Sequence, residues 1–144
     1  MTIGEITMSM NDIARKFFED CETGKGWASC VQYCAQDATF SCQSEALAET
    51  HTLEDYTNWM QGLLTPIPDG RYELKGFATD ADREVVLAFA VFHGTHTADG
   101  GPIEPTGNSV SADYVYAMEF AGEKITHMTK IWNDSHSLKA LGWA

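Results

Sequence analysis

The side chains of this 144-residue chain that could move a proton are its histidines, a few strand carboxylates and its tyrosines. His127 sits in "ITHMTKIWND". In an apolar pocket a histidine titrates near neutrality and can act as acid or base. On a strand it can equally be a structural residue with both ring nitrogens satisfied. His93 and His96 end the apolar run "EVVLAFAVFHGTHT". Three apart in a strand, they point to opposite faces, so at most one enters a pocket. His93, on the face of Phe89 and Val91, is the better candidate. Asp134 stands where the last strand breaks into "SHSLKALGW". It is either the N-cap of a short helix or an acid at a pocket mouth. Strict alternation puts Asn133 and Thr129, rather than Asp134, on the His127 face. A one-residue bulge between Ile131 and Asp134 would bring the acid in. Asp113 falls on the other strand face, set to pair with Lys130.

Other chemistries lack their residues. There is no GxSxG, no phosphate-binding P-loop and no HExxH. The two histidines of "FHGTHT" cannot share one metal from opposite faces, so no metal site is expected. Cys21, Cys30, Cys34 and Cys42 include no CxxC and read as reduced, buried thiols. The formal net charge is −12, with nine Lys and Arg spread thinly, which argues against nucleic acid and anionic membranes as partners. A neutral or apolar ligand is expected instead. No apolar run approaches the roughly 20 residues of a membrane span. The N-terminal stretch lacks a basic start followed by an apolar segment, so a cytoplasmic location is the default expectation.

The elements that must position these groups follow from periodicity. Hydrophobic residues make up 44% of the chain, enough for one domain over residues 1–144 with a single core. Ile6, Met10, Ile13, Phe17 and Cys21 recur at helical steps, and Gly24 and Gly26 end that helix. "WASCVQYCA" predicts a second short helix with Trp27, Cys30, Val31 and Cys34 inward. "ATFSC" has strand character. Thr52 with Asp55 resembles a capping box that opens "LEDYTNWMQGLL". The second half predicts strands: "RYELKGFAT", "EVVLAFAVFHGTHT", "VSADYVYAMEF" and "ITHMTKIWND". In the third, Tyr114, Tyr116, Met118 and Phe120 share a face. A tight hairpin at "AGEK" puts Phe120 beside Ile125. By period two, Tyr116 then shares a face with His127, Thr129 and Ile131. Met128, Lys130 and Trp132 point outward, where Met128 and Trp132 suggest a homodimer patch. The order gives an α+β fold, three N-terminal helices on one face of a curved antiparallel sheet, with an apolar pocket between.

Helix order together with "FHGTHTADGGPIEPTGNSVSADYVYAMEF" and "GEKITHMTKIWNDSHSLKALGW" resembles the NTF2-like superfamily. More narrowly it is similar to the SnoaL-like polyketide cyclases and ketosteroid-isomerase-related proteins. The resemblance implies a cone-shaped pocket, a homodimer, and no metal or organic cofactor. The position of the isomerase's protonated aspartate falls on Tyr116, which can still donate to a developing oxyanion. SnoaL-like cyclases use an acid near the end of the last strand, where Asn133 and Asp134 lie. Catalysis is thus expected from Tyr116, His127 and Asp134. A pocket lining is expected from Tyr33, Phe40, Tyr56, Trp59, His93, Tyr114, Thr129 and Asn133. The ligand is expected to be apolar or aromatic. Two functions are compatible: proton transfer beside a carbonyl, as in an isomerase or cyclase, or binding of an apolar metabolite without turnover.

Overall fold

Ser9 accepts a hydrogen bond from the Asp12 backbone N–H and thereby starts the first helix, α1, Met10–Glu22. The computed structural model describes residues 8–144, so Ile6 of the expected stripe lies outside the described residues. Ile13, Ala14, Phe17, Phe18, Cys21 and Glu22 form the buried side of α1. Helix α2 covers only Gly26–Cys30 and tightens into a 3-10 turn at Val31–Tyr33. The expected second helix therefore ends early. Cys34 already begins strand β1 (Cys34–Cys42), and Val31 is exposed. Its strand partner, described below, extends β1 four residues ahead of the expected "ATFSC". A second 3-10 turn, Glu45–Leu47, leads to α3, Leu53–Leu63, whose N-cap Thr52 accepts from Asp55 N–H at 3.1 Å.

Four strands follow: β2 (Arg71–Asp80), β3 (Val85–Thr95), β4 (Ser109–Ala121) and β5 (Lys124–Trp132). Helix α4, Asp134–Leu141, ends at Gly142, whose φ of 76° is a left-handed cap that a glycine adopts without strain. The sheet is curved and unclosed, in the order β1-β5-β4-β3-β2. One pairing departs from the antiparallel expectation. β1 runs parallel to β5, because the chain leaves β1 through α3 and the whole meander before returning beside it.

The core lies between the helices and the concave sheet face. Phe17, Leu47, Leu53, Tyr56, Met60, Tyr116, Met118, Ile125 and Met128 are all nearly or wholly removed from water. Each such large side chain contributes about 1.5–3 kcal/mol relative to an exposed one. β4 alternates as the sequence predicts, with Tyr114, Tyr116, Met118 and Phe120 inward.

The β4–β5 hairpin contains the decisive irregularity. Phe120 pairs with Ile125 as expected, but Glu119 pairs with His127, leaving Thr126 as an extra residue on β5. Its hydroxyl donates to the Glu119 carbonyl at 3.3 Å. One inserted residue inverts every later side chain. The face assignment on β5 is corrected accordingly: Met128, Lys130 and Trp132 point into the core side, and His127, Thr129 and Ile131 point out. A bulge does decide which groups enter the cone, but it lies before His127, not between Ile131 and Asp134. The large apolar residues exposed on the outer face are Leu87, Phe89 and Ile131, not Met128 and Trp132.

Candidate functional site

Among the described residues Glu22 is the one carboxylate buried in the core, 3% exposed. It closes the row Ala14, Phe18, Glu22 at helical steps of four, so α1 delivers it to the same side as its apolar neighbours. From the sheet, the Tyr114 hydroxyl donates to Oε1 and the Tyr116 hydroxyl donates to Oε2. Those two residues reach it because they are two apart on β4 and share its inner face. Burial pushes the Glu22 carboxyl above the usual carboxylate range, against the lowering pull of Lys130 and of the two phenols.

Lys130 is the matching anomaly. The β5 bulge turns it inward, and it is 6% exposed. Its Nζ donates to the Tyr56 hydroxyl at 3.0 Å. Four rings surround it, with centroids at 4.6 Å (Trp132), 5.1 Å (Tyr56), 5.2 Å (Trp59) and 5.3 Å (Tyr114). Burial pushes its amine below the ordinary lysine range, while Glu22 pulls it back up. The aromatic faces favour a positive charge at that nitrogen.

A hydrogen-bond chain joins the two groups. Each phenol owns one proton. Tyr116 gives its proton to Glu22, so across the 2.5 Å contact Tyr56 must donate to Tyr116. The order is Lys130 to Tyr56 to Tyr116 to Glu22, donors all running one way. Shifting one proton along each bond converts ammonium and carboxylate into amine and carboxylic acid. Burial moves both ends toward that neutral pair. The phenols stay protonated, since desolvation and the nearby carboxylate hold Tyr56, Tyr114 and Tyr116 well above their ordinary range.

This cluster forms part of the wall of a cavity of about 190 Å³. Glu22, Tyr114, Lys130 and Ser137 are its polar members; Trp59, Phe92, Trp132 and Trp143 are the aromatic ones. Leu138 and Leu141 of α4 complete the enclosure. Trp132 is held by its indole N–H, which donates to Ser137 at 2.9 Å. Trp59 meets it edge-on, with centroids 5.9 Å apart. The space suits a flat apolar molecule with one polar group directed at Glu22 and Lys130.

The expected site residues divide into two groups. Tyr114 and Trp59 line the cavity. Tyr56 and Tyr116 form the relay behind it, and Phe40 stacks on Tyr56 at 4.4 Å as part of the core. The others lie elsewhere. Tyr33 donates to Asp20 at 3.2 Å beside α1. His93, on the outer face, contacts Ser111 at 2.8 Å and Glu73 at 3.0 Å. His127 contacts Thr39 at 2.7 Å, Ser41 at 3.1 Å and Thr129 at 3.3 Å, all on the outer side of β1 and β5. Asn133, not Asp134, caps α4, accepting from His136 N–H at 3.2 Å. Asp134 is the first helical residue, and its carboxylate accepts from Ala46 N–H at 2.9 Å, tying the 3-10 turn to α4. Asp113 likewise parts from Lys130, which the bulge sends to the opposite face.

From the sequence, Lys130 is placed outward beside Asp113 and Glu22 is assigned no role, so neither is expected in the site. The signal for Glu22 was its place four residues after Phe18. The signal for Lys130 was its position between Met128 and Trp132, two large apolar residues on the same strand face. Among the described residues no three of His, Cys, Asp and Glu gather as metal ligands, and no helix is long and apolar enough to cross a membrane.

The model of the SnoaL-like polyketide cyclase family matches residues 12–141. No curated protein matches the chain significantly. Among solved structures, IdmH from Streptomyces antibioticus, a candidate polyketide cyclase, superposes with a TM-score of 0.76 at 18% identity, covering 94% of this chain and 99% of its own. A candidate SnoaL-like polyketide cyclase from Jannaschia gives 0.75 at 13% identity, covering 97% and 99%. A candidate isomerase from Bacillus subtilis gives 0.71 at 14% identity, covering 95% and 98%. At these identities the likeness is one of fold.

Proposed function

The chain belongs to the SnoaL-like polyketide cyclase family, and from that premise we propose that it moves a proton beside the carbonyl of an apolar or aromatic substrate, with Glu22 as the acid/base. The observation that carries this reading is a buried carboxylate, clamped by two phenols, on the wall of a largely apolar cavity. A general base works best with a pKa near the operating pH, and burial moves Glu22 in that direction.

The cavity would seat the substrate against Trp59 and Trp132, with its carbonyl toward Tyr114 and Lys130. Glu22 takes the α-proton. The developing enolate meets the Lys130 charge, which costs less to arrange because Lys130 is already desolvated and held. Tyr116 does not line the cavity. It positions Glu22 and links it to Lys130 through Tyr56. Return of the proton to a different carbon gives isomerisation; attack of the enolate on a second carbonyl of the same substrate gives ring closure.

The test uses 2-tetralone, an enolisable bicyclic ketone, in deuterated buffer. Loss of its α-proton NMR signals reports proton abstraction directly. Glu22→Gln should slow the protein-catalysed exchange about 100-fold or more, the usual scale for a lost general base. His127→Ala and Asp134→Asn should leave it near the wild-type rate. Exchange unaffected by Glu22→Gln overturns the assignment. Binding of 2-tetralone with no catalysed exchange by the wild type favours a non-catalytic carrier of apolar metabolites.

A further inference from the structure

We infer that Lys130 is a carbonyl-capturing amine, able to form an imine with an aldehyde or ketone that enters the aromatic cavity. The inference rests on the reading above only in using the same cavity; it does not need Glu22 to abstract a carbon-bound proton.

Three features carry it. First, the nitrogen is placed for reaction. Lys130 lines the cavity and, among the described residues, spends only one hydrogen bond, to Tyr56 at 3.0 Å. No carboxylate lies within 4 Å of it among the described residues, in contrast to Lys25 and Lys75, which pair with Asp20 and Glu73. Second, the relay gives the amine a route to its neutral, nucleophilic form, since its proton can pass through Tyr56 and Tyr116 to Glu22 without entering solvent. Burial of both ends favours that exchange. Third, the product is accommodated. A protonated imine keeps a positive charge and one N–H on the same nitrogen. The four rings that flank the ammonium flank the iminium equally, and its N–H can still donate to Tyr56.

The step balances within the cluster. The neutral amine attacks the carbonyl carbon, a C–N bond forms, and the C=O pair moves to oxygen. That oxygen takes the proton released by nitrogen, giving a carbinolamine. The nitrogen lone pair then expels the hydroxyl, which leaves as water with a second proton, drawn from the Glu22 carboxylic acid. The products are the iminium, water and the Glu22 carboxylate. An iminium draws electrons more strongly than the parent carbonyl, so a bound enolisable ketone would lose its α-proton more readily.

The probe is 2-naphthaldehyde, an aromatic aldehyde matched to the aromatic lining of the cavity and without an α-proton. Its capture therefore reports Lys130 alone and is blind to proton abstraction by Glu22. The wild-type protein is incubated at pH 7 with one equivalent of aldehyde and cyanoborohydride, which reduces an imine to a stable secondary amine. Intact mass and peptide mapping then locate the naphthylmethyl group. Lys130 faces the cavity and has the relay to Glu22, so its occupancy should exceed that at any other lysine by at least about tenfold. Lys130→Arg should abolish the dominant label and leave the minor ones. Should that variant fail to fold, mapping on the wild type still decides. Label confined to exposed lysines, or spread evenly, overturns the inference. In that event Glu22-dependent exchange of 2-tetralone would still uphold the proton-transfer reading. Label at Lys130 without Glu22-dependent exchange would uphold imine formation and overturn the other.

Discussion

Replacing Lys130 by methionine removes one end of the buried relay while keeping most of the side-chain volume. The lost interaction is a charge-assisted hydrogen bond to Tyr56, about 1.5–3 kcal/mol by itself. The larger effect falls on Glu22, which becomes an ionised group in the core with no cation to balance it. Stranding one charge of a buried pair costs up to about 3–5 kcal/mol, and less here because Lys130 and Glu22 are joined through two phenols rather than in contact. Glu22 escapes part of that by taking up a proton, because its carboxyl is already raised by burial and loses its main lowering influence with the lysine. We therefore expect a loss of about 3 kcal/mol at pH 7, or roughly 6–12 °C in Tm for a chain of this size. The pH dependence has a definite sign. A carboxyl whose folded pKa is raised binds more protons folded than unfolded between its ordinary value of 4.5 and the folded value. Its contribution is fully present below 4.5 and is lost as pH rises through the folded pKa. The deficit of Lys130→Met against wild type should therefore shrink between pH 7 and pH 5. The double variant Lys130→Met/Glu22→Gln should recover much of it, with a coupling of at least about 1 kcal/mol. Urea unfolding of the four proteins at both pH values supplies the cycle. Single effects below about 0.5 kcal/mol that add without coupling and do not vary with pH would refute the linked pair.

Asn133→Ala should cost about 1 kcal/mol through loss of the α4 cap, with 2-tetralone exchange unchanged, as thermal melting and NMR would show. Trp59→Ala should weaken 2-tetralone binding at least about tenfold by opening the cavity wall, read by fluorescence titration or calorimetry. The outer sheet face exposes Phe89 (41%) and Ile131 (62%). If it is the surface of a homodimer, Phe89→Lys/Ile131→Lys should give a monomer by sedimentation with its fold intact.

The elements were legible because their periods are strong. The stripe of α1, the capped α3 and the alternating β4 depend on local pattern, and the resemblance supplied their order. The site was less legible because it depends on one inserted residue. Ile125 was placed against Phe120 correctly, and strict alternation from there sent His127 inward and Lys130 outward. The bulge at Thr126 reverses both, and nothing in "GEKITHMT" marks it: Thr126 is an ordinary strand residue, with neither the glycine nor the proline that often betrays an irregular ladder. Glu22 was overlooked for another reason. A glutamate in the last turn of an amphipathic helix ordinarily faces water, and only the phenols of Tyr114 and Tyr116, 92 and 94 residues further on, make its burial tolerable. Asp134 shows the reverse case. Its type and position suit a cap, but Asn133 starts the helix one residue sooner and frees Asp134 to hold Ala46.

A crystal structure with 2-naphthol would test the central claim most directly, since this phenol is the stable aromatic analogue of the enol of 2-tetralone. The ring should lie against Trp59 and Trp132 in the cavity, with its oxygen about 3 Å from Lys130 Nζ or the Tyr114 hydroxyl, on the Glu22 side. A naphthol bound instead on the outer sheet beside His127, or seated in the cavity with its oxygen turned away from Glu22 and Lys130, would contradict it.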